Sequence, residues 1–213
     1  MYNIIGEDNR RQITNVNLFP YCAIAYLEIT FVDKATMKAS GAFVGDRTII
    51  TAGHCVYDQK HGWAKSVKVT PGGSKSNYST YISTTVKTVN GWVNSENQDY
   101  DYGIVKLSNS PGVGYFGIKA ENDASLQNKY AYCYGYPTDK NAGTLWYDSG
   151  IIFELTKRQF LHSADTEDGN SGGPLVLFSD IDCIVGIHAG AELVSNYATR
   201  ITNDVIDFVK RHT

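Results

Sequence analysis

Two short segments carry residue types suited to nucleophilic catalysis: Thr51-Ala52-Gly53-His54-Cys55 and Asp168-Gly169-Asn170-Ser171-Gly172-Gly173-Pro174. A serine hydroxyl is a weak nucleophile at neutral pH, so it needs a base within hydrogen-bond reach and donors for the oxyanion that forms. The glycines around Ser171 allow a sharp turn that aims backbone N–H groups at one point, and the amides of Gly169 and Ser171 are the natural oxyanion donors. His54 is the candidate base. It follows Ala42-Phe43-Val44, a turn at Gly45-Asp46-Arg47, and Thr48-Ile49-Ile50-Thr51, a pattern that places the imidazole where a buried strand ends. His61, His162 and His212 have no comparable setting and read as surface residues.

A base of this kind needs a carboxylate to hold its tautomer and stabilise its charged form. Asp101 opens the alternating run Asp101-Tyr102-Gly103-Ile104-Val105-Lys106-Leu107, which reads as a strand entering the core. Asp99 points to the same face of an extended chain and is the main competitor, whereas Asp58 lies too close to His54 in sequence. The segment Gly169-Asn170-Ser171-Gly172-Gly173 also fits the G-x-S-x-G elbow of α/β-hydrolases. That fold requires a helix after the serine and its acid and histidine later in the chain. Here Pro174 and the β-prone Leu175-Val176-Leu177-Phe178 follow instead, and they favour a strand.

These residues resemble the chymotrypsin-like serine proteases, and among them the bacterial glutamyl endopeptidases of the V8 and Bacillus type. The histidine region, the aspartate strand and the serine loop occur in the family's order, and the resemblance spans nearly the whole chain. It implies an all-β fold of two six-stranded antiparallel barrels with a short C-terminal helix. Residues 1–110 would form the barrel carrying His54 and Asp101, and 111–213 the barrel carrying Ser171 and the specificity pocket. It also implies a secreted enzyme that hydrolyses peptide bonds through an acyl-enzyme, with its signal and propeptide absent from this chain.

Pocket residues carried over from the family are Thr166, five positions before the nucleophile, and His188 in Val185-Gly186-Ile187-His188-Ala189-Gly190. Both can donate hydrogen bonds to a carboxylate, and a protonated imidazole would add charge. The implied cleavage is after Glu, less well after Asp. Asp165 conflicts with this reading, because trypsin-like pockets place an aspartate near that position to bind basic side chains. The resolution favours Glu, with Asp165 turned away. Asn170 stands where trypsin-like enzymes carry the aspartate that pairs with a freed amino terminus, so that activation switch is unavailable. Alignment on Arg10 sets a V8-type mature terminus, whose α-amino group lies near the substrate carboxylate, at about Asn3.

Composition agrees with a β-rich protein. The 213 residues include 20 glycines and 12 % aromatics, and short apolar runs recur between turn signals. Candidate strands include 24–29, 66–70, 84–89, 130–135, 143–147 and 181–187, and Val205, Phe208 and Val209 mark a short amphipathic helix after Thr202 or Asn203. Ser108–Gly114 is rich in turn formers and reads as the link between barrels. A net charge of −3 without a Lys/Arg cluster gives no footprint for nucleic acid, and no apolar run is long enough to span a membrane. A monomer acting on protein or peptide substrates is expected.

Cys22, Cys55, Cys133 and Cys183 lack the spacing of a structural zinc site or a C-x-x-C redox motif, and neither metal nor cofactor is expected. The family's usual bridge partner for Cys55 is replaced by Ser40, so mostly free thiols are favoured. Two rival readings remain. One is a protease of basic specificity through Asp165; the other is a non-catalytic binding or toxin module on the same fold, against which stands the retention of all three triad candidates.

Overall fold

The alternation of apolar and polar residues sets which strand faces meet. In the computed structural model, which describes residues 4–213, the strand Gly62–Pro71 buries Ala64, Val67 and Val69 while Lys65 and Lys68 face solvent. Twelve strands of this kind form the framework. The first six are β1 (Ile24–Phe31), β2 (Thr36–Gly45), β3 (Thr48–Thr51), β4 (Gly62–Pro71), β5 (Thr85–Thr88) and β6 (Gly103–Lys106). Their order in the sheet is β4-β1-β2-β3-β6-β5, all antiparallel, and they curl into a nearly closed barrel.

The second six are β7 (Tyr130–Gly135), β8 (Trp146–Leu155), β9 (Gln159–His162), β10 (Pro174–Leu177), β11 (Asp180–Ala191) and β12 (Asn196–Arg200). The order β8-β7-β10-β11-β12-β9 returns to β8 through the β8–β9 pairing, so this barrel closes. Closure removes exposed strand edges. Its interior is filled by Leu126, Ala131, Cys133, Ile152, Phe160, Leu175, Val185 and Ala198. Gly186 on β11 is required there, because a Cβ would stand 2.4 Å from the Phe160 ring.

Each end of the chain reaches across. Arg11–Gln12 add a short antiparallel strand to β8 of the second barrel before the chain enters the first. Asn203–His212 form the C-terminal helix α1, capped by Thr202, whose side chain accepts from the Val205 amide. Its Val205, Phe208 and Val209 are buried, and Phe208 meets Tyr102 of the first barrel edge to face at 5.4 Å. Lys106 Nζ donates to the carbonyls of His212 and Thr213. The segment 108–114 is irregular, with Gly112 and Gly114 at positive φ, and it carries the chain between barrels.

All four cysteines are free. Where a family bridge would have joined Cys55, Ser40 instead ties β2 to the second barrel. Its hydroxyl donates to the Gly169 carbonyl (2.7 Å) and accepts from the Tyr136 amide (2.9 Å), and its own amide donates to the Ser171 carbonyl (2.8 Å). Replacing Ser40 by alanine strips a buried carbonyl and a buried amide of their partner, a loss of about 1–3 kcal/mol. In urea unfolding the free energy of Ser40→Ala should fall by that amount, seen as a lower midpoint with an unchanged denaturant slope.

Candidate active site

His54 lies in a single 3₁₀ turn, Gly53–Cys55, that follows β3 directly. Gly53 is needed because Asp101 packs against it: a Cβ there would lie 3.0 Å from Asp101 Oδ1 and from the Trp92 ring. Asp101 ends another 3₁₀ turn, Gln98–Tyr100, two residues before β6 begins. It therefore precedes the strand that the alternating pattern marked. Asp101 Oδ1 accepts from the His54 amide (2.9 Å), and Oδ2 lies 2.8 Å from His54 Nδ1. The carboxylate is 2 % exposed and the imidazole 19 %. Asp99, the competitor, is only partly buried and lies at the start of the same turn, its amide held by Asn97.

Burial by itself would depress the His54 imidazole. The Asp101 carboxylate outweighs it by charge and hydrogen bond, helped by Cys55, and the pKa stands well above the ordinary 6.5. Thr199 Oγ1 on β12 donates to the Asp101 carbonyl (2.9 Å), so the second barrel also fixes the carboxylate's backbone.

Ser171 is buried in the loop between β9 and β10. Gly169 (φ +94°) and Gly172 (φ +81°) adopt backbone conformations that a side chain would strain. A Cβ on Gly172 would stand 2.0 Å from Thr51 Oγ1 and 2.3 Å from the Ser40 carbonyl, so the serine loop is pressed against the strand that leads to His54. The loop is also pinned to His188. The Gly172 amide donates to the His188 carbonyl (2.8 Å), and the His188 amide donates to Gly173 (2.9 Å). Asn170, uncharged and 2 % exposed, occupies the position of the trypsin-like activation aspartate.

The specificity candidates are wholly buried. Thr166 Oγ1 meets no hydrogen-bond partner among the described residues, and His188 lies on β11. His162 was expected at the surface; it is instead fully buried on β9, with Nε2 3.3 Å from His188 Nδ1. The alternation of Phe160 and His162 on one face of a strand was the signal that could have found it. Burial pushes His162 down to about 3, and burial, His162 and His54 together hold His188 well below its ordinary value. Without substrate His188 is neutral, so the protonated imidazole envisaged for carboxylate binding is not its resting form. His162 Nδ1 is buried without a partner among the described residues. One hydrogen bridges His162 Nε2 and His188 Nδ1, and either ring can supply it.

The Asp165 carboxylate is engaged by main-chain amides of the amino-terminal segment. Its Oδ1 accepts from the Ile5 amide (2.7 Å) and Oδ2 from the Asn9 amide (3.0 Å), while its own amide donates to Asp148 (2.7 Å). Next to this clamp Arg10 is buried between Asp8 and Asp139, at 2.9 and 2.6 Å. The amino-terminal segment is thus fastened beside Thr166. Asn3, where the resemblance sets a mature terminus, lies outside the described residues.

Two barrels with a histidine and an aspartate on one and a glycine-framed serine on the other define a chymotrypsin-like serine endopeptidase. The trypsin family profile matches residues 12–209, and the chain belongs to that family. It is 37 % identical over 98 % of its length to "Extracellular metalloprotease" of Bacillus subtilis (strain 168), spanning 69 % of that protein. It is 35 % identical over 96 % of its length to "Glutamyl endopeptidase" of Bacillus licheniformis, spanning 67 % of that protein. A solved Glu endopeptidase in complex with MPD superposes with a TM-score of 0.88 at 26 % identity, covering 99 % of both chains.

Two outcomes follow from the geometry. A histidine base works only when neutral, so kcat/KM should rise with pH across an inflection above 6.5. Asp101→Asn should move that inflection to lower pH and reduce the plateau by about four orders of magnitude, measured on one peptide across the pH range. Asp165→Ala should release the amides of Ile5 and Asn9 and lower stability by about 1–3 kcal/mol in thermal unfolding. The ratio of kcat/KM for Lys over Glu peptides should be the same in this variant as in the parent enzyme.

Proposed function

We propose that this serine endopeptidase cleaves after glutamate, less well after aspartate, with Ser171 as nucleophile, His54 as general base and Asp101 orienting the imidazole. His54 takes the Ser171 proton as Oγ attacks the peptide carbonyl, and the amides of Gly169 and Ser171 hold the oxyanion. The imidazolium gives its proton to the leaving amine. Water then repeats the sequence and frees the acid. Thr166 and His188 receive the substrate carboxylate: the Thr166 hydroxyl and the His188 Nε2–H are donors, and neither suits a basic side chain. The observation that carries this reading is the engagement of Asp165 by the Ile5 and Asn9 amides, which takes the one carboxylate suited to lysine or arginine out of the contest.

The similarity to a protein named glutamyl endopeptidase supports the same specificity, and the other relative's name supports secretion. That relative's name also raises metal-dependent hydrolysis. Cys133, His162 and His188 are the group with metal-ligand geometry among the described residues, and all three are buried. A catalytic metal must offer an open position to water beside the scissile bond. The Cys133 group is closed within the second barrel and Ser171 has its own base, so the serine mechanism is favoured.

Matched peptides bearing Glu, Gln, Asp, Lys or Phe before the cleaved bond test the specificity. The expected order of kcat/KM places Glu first and Asp second. Ser171→Ala should reduce turnover by several orders of magnitude. A lysine preference would overturn the pocket assignment, and near-parental turnover by Ser171→Ala would overturn the nucleophile.

A further inference from the structure

Behind His188 lie two groups for which the hydrolytic mechanism has no use: the His162 imidazole on β9 and the Cys133 thiol on β7. With His188 they form a cluster in which one ligand atom of each residue lies within 4.8 Å of the others, all three side chains buried. The 3.3 Å between His162 Nε2 and His188 Nδ1 is long for a hydrogen bond between imidazoles. Two nitrogens bound at about 2.0–2.1 Å to one tetrahedral zinc ion are held about 3.3–3.4 Å apart. The three residues sit on β7, β9 and β11 of a closed barrel, so rigid strands fix their separation.

We propose that Cys133, His162 and His188 bind one thiophilic divalent cation, Zn²⁺ or Co²⁺, and that its charge strengthens recognition of the substrate carboxylate at His188. The second half of this inference rests on the assignment of His188 to the glutamate pocket. On binding, the Cys133 thiol proton passes to solvent and the imidazole protons move to, or stay on, the nitrogens facing away from the metal. A divalent cation with one thiolate and two neutral imidazoles leaves one net positive charge. His188 keeps its Nε2–H donor, now on a metal-bound ring. This supplies the charge that the neutral His188 lacks, at a site where low dielectric makes it effective.

The test uses the full chain, stripped with a chelator and titrated with Co²⁺ and with Zn²⁺. Co²⁺ should give one equivalent of a thiolate-to-cobalt charge-transfer band, which Cys133→Ala abolishes while it cleaves peptides normally without metal. Zn²⁺ should bind this variant about tenfold or more weakly than the parent. Zn²⁺ loading should raise the ratio of kcat/KM for Glu over Gln peptides about tenfold in the parent and leave it unchanged in Cys133→Ala. The absence of the band, or equal Zn²⁺ affinity in both proteins, would overturn the site. A band with an unchanged Glu-to-Gln ratio would overturn the charge role. Failure of the metal-free enzyme to prefer Glu over Lys would instead overturn the parent reading, independently of the band.

Discussion

The contact on which this molecule depends is the close approach of the serine loop to β2 and β3. Gly172 has no room for a Cβ because Thr51 and the Ser40 carbonyl stand against its backbone. Thr51 in turn donates to that same carbonyl (2.8 Å), which orders the end of β3 immediately before His54. Ser40 holds Gly169 and Ser171 from the other side. His54 and Ser171 thus come from different barrels and share one small set of buried hydrogen bonds. In a fold where the two halves meet at a cleft, such a shared set converts a loose pairing into a fixed geometry, the condition under which proximity contributes to rate.

Electrostatics divide the site into two regimes. Around His54 a buried carboxylate favours the charged imidazole, which suits the proposed role of a base that holds a proton during acyl transfer. Around His188 no carboxylate intervenes, and burial together with two other imidazoles favours the neutral form. The same residue type is therefore set in opposite directions within one cleft. Asp165 would have erased the contrast had its carboxylate faced His188. It is occupied by backbone amides of the amino-terminal segment instead.

Much of the candidate site was legible in the sequence because its residues sit in short contiguous segments whose spacing reports local geometry. His54 at the close of a buried strand and Ser171 among glycines are of this kind. The orientation of Asp165 was not legible, since its partners are main-chain amides about 160 residues earlier, which no side-chain pattern reveals. The burial of His162 was missed for another reason: its signal, the alternation with Phe160, runs over a strand of only four residues and is faint. The strand expected from Gly143 begins at Trp146, because Gly143 takes a positive φ and its backbone is held against Ser74.

The chain's two ends are exchanged between its halves. Residues 11–12 lie on the second barrel although the first barrel follows them, and α1 lies against Tyr102 and Lys106 although it follows the second. Each half is thereby clasped by an arm of chain that is covalently attached to the other. The two barrels are therefore joined through these crossed arms as well as through the connection at 108–114.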